Sequence, residues 1–219
     1  MNVGQLEAAY RVQTGDTVAA KYLCSRADFL LRLNEAQVEA ARRSHMLIDS
    51  STPELTEVTV SAGQAVVELD PRIIRVRRAC RLPQRWPLEK TSARTLDRCL
   101  PGWEAAANGT PSRFVADWQS GALRLYPPPV AAVTLALTVI REPLDSLSDN
   151  THEPELPARC HLSLLEWVKY RTYSAQDPDN FDSVAAEKAL AAFTAEFGPA
   201  IGAINEHWSS EQDWDNGEF

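Results

Sequence analysis

LPARCHLSLLEWVKYRTYSAQDPDNFDSVAAEKALAAFTAEFG, residues 156–198, reads as a helical hairpin with its start and stop signals in place. Pro157 suits a first helical position, where its missing N–H costs nothing. Leu162, Leu165, Val168 (with Trp167) and Tyr173 (with Thr172) recur at three- and four-residue steps, so one face is apolar. Asp177-Pro178-Asp179 is expected to stop the first helix. Phe181 is expected to open the second, with Ala185, Ala189, Ala192, Phe193 and Phe197 along its stripe. Gly198-Pro199 closes it. No side chain in the hairpin has the surroundings of a reagent, which points to assembly rather than chemistry.

Outward from this hairpin the chain divides into four parts. Residues 1–53 are expected to be helical, with a short helix over 4–13 and a long one over 26–47. Ser25 fits the N-cap of the long helix, with Asp28 in the capping-box position. Phe29, Leu33, Ala36, Ala40 and Leu47 line its apolar face. Residues 54–147 change to strand periodicity. Val58 and Val60, a turn at Ser61-Ala62-Gly63, and Ala65–Leu69 read as a hairpin. Ile74–Arg77 alternates, with Ile74 and Val76 inward and Arg75 and Arg77 outward. A short helix is expected over 92–99. Phe114–Trp118 and Leu123–Tyr126 form a second hairpin around Ser120-Gly121, and Thr134–Ile140 is a final strand. Residues 148–198 hold the helical hairpin, and 199–219 form an acidic tail. The expected class is α+β: helices from both termini packed together, with an antiparallel sheet of five to seven strands inserted between them.

Composition narrows the function. Hydrophobic residues make up 44% of the 219, and no apolar run approaches the roughly 20 residues of a membrane helix. The opening MNVGQLEAAYRVQTGD lacks the basic end and apolar stretch of a signal peptide, so the chain is expected to stay in the compartment where it is made. Cys24, Cys80, Cys99 and Cys160 are widely spaced and read as reduced thiols. His45, His152, His161 and His207 stand in no catalytic or metal-binding motif. His152, Glu153 and Glu155 lack a fourth ligand. The expectation is therefore no enzyme, no metal and no cofactor.

Charge is uneven. The net charge is −8, of which Glu206, Glu211, Asp213, Asp215 and Glu218 supply five, in a tail without Lys or Arg. That tail also carries Trp208, Trp214 and Phe219, a pattern suited to anchoring on a partner. Residues 72–85 hold Arg72, Arg75, Arg77, Arg78, Arg81 and Arg85 and no acid. Three readings of this run stay open: a solvated strand face, a protein-docking patch, and a nucleic-acid contact.

The segment order carries a resemblance. LLRLNEAQVEAARRSHMLIDSSTPE, VTVSAGQAVVELDPRIIRVRRA, LDRCLPGWE, GTPSRFVADWQSGALRLYPPP, LTVIREPL and ELPARCHLSLLEWVKYRTYSAQDPDNFD follow one another as in head-to-tail adaptor, or connector, proteins of tailed bacteriophages. The chain also resembles the wider group that includes gatekeeper and tubular proteins of short-tailed phages. The resemblance spans about residues 1–198. It implies a virion protein of the neck, made in the host bacterial cytoplasm. Copies would form a ring, typically of twelve, beneath the portal protein, extend the DNA channel without reading its sequence, and receive a stopper or tail protein. It implies further that helices form the ring wall and that the C-terminal segment reaches toward the portal. A ring needs one face of each copy to meet a different face of the next. The expected division places acidic residues of the helical wall toward the lumen and Arg75, Arg77 and Arg78 toward protein neighbours. The alternatives are a head-completion stopper or tail-completion protein, a nucleic-acid-binding module using Arg72–Arg85, and a hydrolase centred on His161 or His152.

Overall fold

The computed structural model describes residues 1–19, 22–175 and 181–200. The elements run α1 (Val3–Thr14), α2 (Arg26–Ser44), β1 (Ile48–Asp49), α3 (Pro53–Thr56), β2 (Glu57–Val60), β3 (Val66–Glu68), β4 (Ile73–Arg81), β5 (Trp86–Pro87), β6 (Glu89–Thr91), α4 (Ala93–Cys99), β7 (Arg113–Gln119), β8 (Ala122–Tyr126), β9 (Val133–Arg141), α5 (Leu164–Tyr173) and α6 (Ser183–Phe197). The class is α+β. Two compact units emerge, one from Met1–Leu47 with Glu142–Ala200, the other from Ile48–Arg141.

In the helical unit, local chemistry sets the helix ends. Asn2 accepts from the Gln5 backbone N–H, and the Gln5 side chain accepts from the Asn2 N–H, a complete capping box. Ser25 caps α2 by accepting from the Asp28 N–H at 3.1 Å. His45, left-handed at φ 53°, ends α2 at Ser44, three residues before the expected stop. Phe29, Leu33, Ala36 and Ala40 are fully buried, as their spacing predicts.

The hairpin that opens the sequence reading forms with two corrections. Pro157 precedes a short 3-10 turn at Ala158–Cys160, and α5 starts only at Leu164. His161 is tied into that turn, with Nε2 2.8 Å from the Leu156 carbonyl oxygen. The delayed start exposes Leu162 and places Leu164, Leu165, Val168 and Thr172 in the core. In α6, Asp182 is the cap, accepting from the Val184 and Ala185 N–H groups, so Phe181 lies outside the helix and is exposed. The buried stripe is Ala186, Ala189, Phe193 and Phe197, while Ala192 faces solvent. The expected stop at Asp177-Pro178-Asp179 lies outside the described residues. Trp167, Phe193 and Phe197 stack at centroid distances of 5.1 and 4.7 Å. The Tyr10 hydroxyl and Thr172 Oγ1 hydrogen-bond at 3.0 Å, tying α1 to α5.

The β unit holds two sheets rather than one. The first runs β1–β9–β4–β5, with β2 also on β9; the second runs β3–β8–β7–β6. Pairing is antiparallel except for β6 with β7, which is parallel. The expected β2–β3 hairpin does not form. β2 pairs with β9 and β3 with β8, so Ser61–Gly63 carries the chain from one sheet to the other. Gly63 sits at φ 77°, and its N–H donates to the Pro129 carbonyl at 2.7 Å. That bond is to a distant segment, a partner that local turn chemistry does not reveal. The β7–β8 hairpin forms as expected, with Gly121 at φ 71°. Val60, Val76, Leu135, Leu137 and Val139 of the first sheet share a core with Val67, Phe114, Leu123 and Leu125 of the second.

The β unit is closed where the chain enters and leaves it. Asp49 on β1 accepts from the Ser51 and Thr52 N–H groups, from both hydroxyls, and from Arg141 Nε at 2.7 Å. Burial pushes the Asp49 carboxyl up, but these hydrogen bonds outweigh it and hold it well below the ordinary value.

Asp49→Ala removes the buried carboxylate that accepts from Arg141, Ser51 and Thr52, and is expected to destabilise the protein by about 3 kcal/mol in denaturant unfolding. Because the folded-state value is depressed, the Asp49 contribution is complete above the unfolded carboxyl pKa of about 3.9 and is lost as pH falls below it. The acid limb of wild-type stability is therefore expected to flatten in Asp49→Ala. Phe193→Ala is expected to cost about 4 kcal/mol, read as a lowered Tm in calorimetry.

Candidate docking surfaces

The arginine run occupies β4 and the turn after it, and its six members differ in kind. Arg72 is held by Asp70 through a two-pronged ion pair, Nε to Oδ1 and Nη2 to Oδ2, each at 2.9 Å. The side-chain and backbone hydrogen bonds from Arg72 lower the Asp70 carboxyl. Arg75 is half-buried and lies across from Ile140. Arg81 is half-buried as well, and its Nε has no hydrogen-bond partner among the described residues.

Arg77, Arg78 and Arg85 are exposed, and among the described residues none has an ion pair. The expected alternation fails here for a backbone reason. β4 shifts register against β9 between Ile73 and Arg75 and again between Val76 and Arg78. Each shift inserts a residue and changes which face the next side chains take. Val76 goes into the core as expected, while Ile74 is only half-buried and Arg77 and Arg78 are both exposed. Arg85 turns the chain at φ 58° into Trp86, which is 61% exposed.

The acidic-aromatic tail, with Trp208, Glu211, Asp213, Trp214, Asp215 and Phe219, lies outside the described residues, as does His207. The other groups considered for chemistry are placed in structural settings. Cys24, Cys80 and Cys160 are buried and Cys99 is exposed. His161 is buried, with Nδ1 2.8 Å from the Met1 amine. His45 caps α2, and His152 lies on the surface 3.1 Å from Asp149. Among the described residues no group of three or more His, Cys, Asp or Glu is placed to hold a metal ion. None of the described helices is long and apolar enough to cross a membrane.

One surface was absent from the sequence reading. α2 and α5 flank an open groove of about 510 Å³, floored by Leu31, Val38 and Trp167 and rimmed by Glu35, Glu39 and Arg171. Leu31 is 60% exposed. The available signal was Leu31 itself, an apolar residue lying off the Phe29–Leu33–Ala36–Ala40 stripe of an amphipathic helix. One ion pair spans the two helices, Arg171 Nε to Glu35 Oε2 at 3.0 Å; within α2, Arg43 Nε donates to Glu39 Oε1 at 2.7 Å. The Arg43 guanidinium also lies over the Trp167 ring, 5.4 Å from its centroid.

The two units differ in charge. The β unit has twelve Lys and Arg against nine Asp and Glu, a net of +3, whereas residues 1–47 with 142–200 have ten against sixteen, a net of −6. Exposed arginines on a rigid strand, an open apolar groove and opposite net charges are the features of a protein that works by contact.

A family model described as SU10 adaptor protein matches residues 1–217. No curated protein matches the chain.

Because Arg77, Arg78 and Arg85 make no intramolecular ion pair among the described residues, replacing each with Ala is expected to change stability by less than about 0.5 kcal/mol. Urea unfolding of the three variants checks this. A larger loss would show that these arginines hold the fold rather than serve a partner.

Proposed function

The chain belongs to the SU10 adaptor protein family, a family of phage adaptor structural proteins, and from that premise we propose that its copies form a ring in the virion neck, joined to the portal protein on one side and to a stopper or tail protein on the other. The ring extends the channel through which the genome passes. The observation that carries this reading is the pair of exposed arginines on β4, Arg77 and Arg78, which have no ion pair among the described residues, in a protein of net charge −8. A surface that serves only solubility gains nothing from concentrating one sign against the trend of the whole chain, whereas a docking surface gains orientation and encounter rate.

The reading divides the work by charge. The acidic helical unit suits the lumen, because each cation fixed on a phosphate adds affinity and slows a sliding duplex. The basic strand suits protein neighbours, with Arg75, Arg77 and Arg78 facing them. The tail is assigned to the portal, with Trp208, Trp214 and Phe219 as anchors and Glu211, Asp213 and Asp215 as their charged partners. Closed rings require two unlike faces per copy, and opposite net charges on the two units supply a basis for them.

Charge reversal tests the proposal. Arg75→Glu, Arg77→Glu and Arg78→Glu together are expected to leave the circular dichroism spectrum unchanged and to yield filled heads without tails in electron micrographs. Normal head–tail joining by this variant would reject the assignment. Salt-sensitive duplex binding by the isolated wild-type chain, abolished by the same substitutions, would instead favour a nucleic-acid-binding module.

A further inference from the structure

Among the described residues, Trp86 and the α2–α5 groove are both open surfaces, and they are complementary. Trp86 stands on β5, in a turn that carries Arg85 and follows the exposed Arg77 and Arg78. An indole exposed to 61% is costly to leave in water, and Trp and Arg are the residues that most often dominate the energy of a contact. The groove presents the opposite character. Its floor of Leu31, Val38 and Trp167 is apolar, and its volume of about 510 Å³ falls within the roughly 300–1,000 Å³ that hold ligands far larger than one indole. Its rim carries Glu35, Glu39 and Arg171, with Glu39 paired to Arg42 and Arg43. Glu35 spends Oε2 on Arg171, and among the described residues Oε1 has no partner.

We propose that the Arg85–Trp86 turn of one copy docks in the α2–α5 groove of the next, with the indole on Leu31, Val38 and Trp167 and the Arg85 guanidinium on Glu35. A second copy is the occupant because the charges match across copies. The turn belongs to the unit of net charge +3 and the groove to the unit of net charge −6. The two patches are also different surfaces of one chain, which is what a head-to-tail contact requires. The inference rests on the ring reading and specifies one of its interfaces.

Photo-crosslinking in assembled neck-bearing particles tests it. A benzophenone amino acid replaces Trp86 in the full-length chain, and crosslinked peptides are identified by mass spectrometry from a mixture of light and heavy copies. The same probe at Arg77 serves as a second reporter of copy-to-copy contact. Light–heavy crosslinks from position 86 to residues 31–39 or 167–171 are the expected result. Leu31→Glu is expected to lower their yield about 30-fold, and Arg85→Glu with Glu35→Arg to restore part of what Arg85→Glu alone removes. Crosslinks from position 86 that stay within one copy, reach another protein, or land elsewhere on a neighbour overturn the proposal. If position 77 still reports copy-to-copy contact, the ring reading survives that result. No light–heavy crosslink from either position rejects both.

Discussion

The β unit begins and ends at one ion pair. The chain leaves the helical core after Leu47, makes a 94-residue excursion over Ile48–Arg141, and returns to that core at Glu142. Asp49 and Arg141 lie at the two ends of the excursion and bond directly. An insertion of this length can be ordered within itself and still fray where it joins its host, because its first and last strands have few neighbours. Here β1 pairs with β9 through only Ile48 and Asp49. The Asp49 carboxylate adds the Ser51 and Thr52 donors and the Arg141 guanidinium to that short ladder, so the two chain ends leave the sheet at a fixed register.

With its ends held, β4 can present its arginines from a rigid element. Exposed charges on a loop lose conformational entropy when they meet a partner; charges on a paired strand have already lost most of it. The groove lies between helices whose packing includes the contacts of Trp167 with Phe193 and of Phe193 with Phe197, and the Glu35–Arg171 ion pair spans it. Each unit thus offers a surface whose shape is set by the folding of that unit alone.

The sequence reading succeeds where the signal is local and fails where it is distant. α2 is legible because Ser25, the apolar stripe and the polar flank all lie within one helix. The β7–β8 hairpin is legible because Gly121 and its two flanking strands are contiguous. The β2–β3 hairpin is a false reading of the same kind of signal. Two short apolar strands around a glycine turn look like partners, yet each finds a longer strand elsewhere, in β9 and β8. The register shifts in β4 are invisible for a related reason: a residue is extra only relative to its partner strand. The late start of α5 follows a 3-10 turn at which His161 bonds to the Leu156 carbonyl, and the groove joins two helices about 130 positions apart in the chain. The arginine run was legible as composition, and its division into bonded, half-buried and exposed members was not.

The two irregularities of β4 bear on how the free protein behaves before it is used. Over Ile73–Arg78 this strand has β9 on one side and no strand partner on the other among the described residues. A long, flat, open edge invites further strands from any chain at high concentration and leads to fibres. Bends at two points and a pair of cationic side chains spoil the template for such growth. The same backbone kinks that break the simple inward–outward pattern therefore make this edge a poor template for endless strand addition between identical chains.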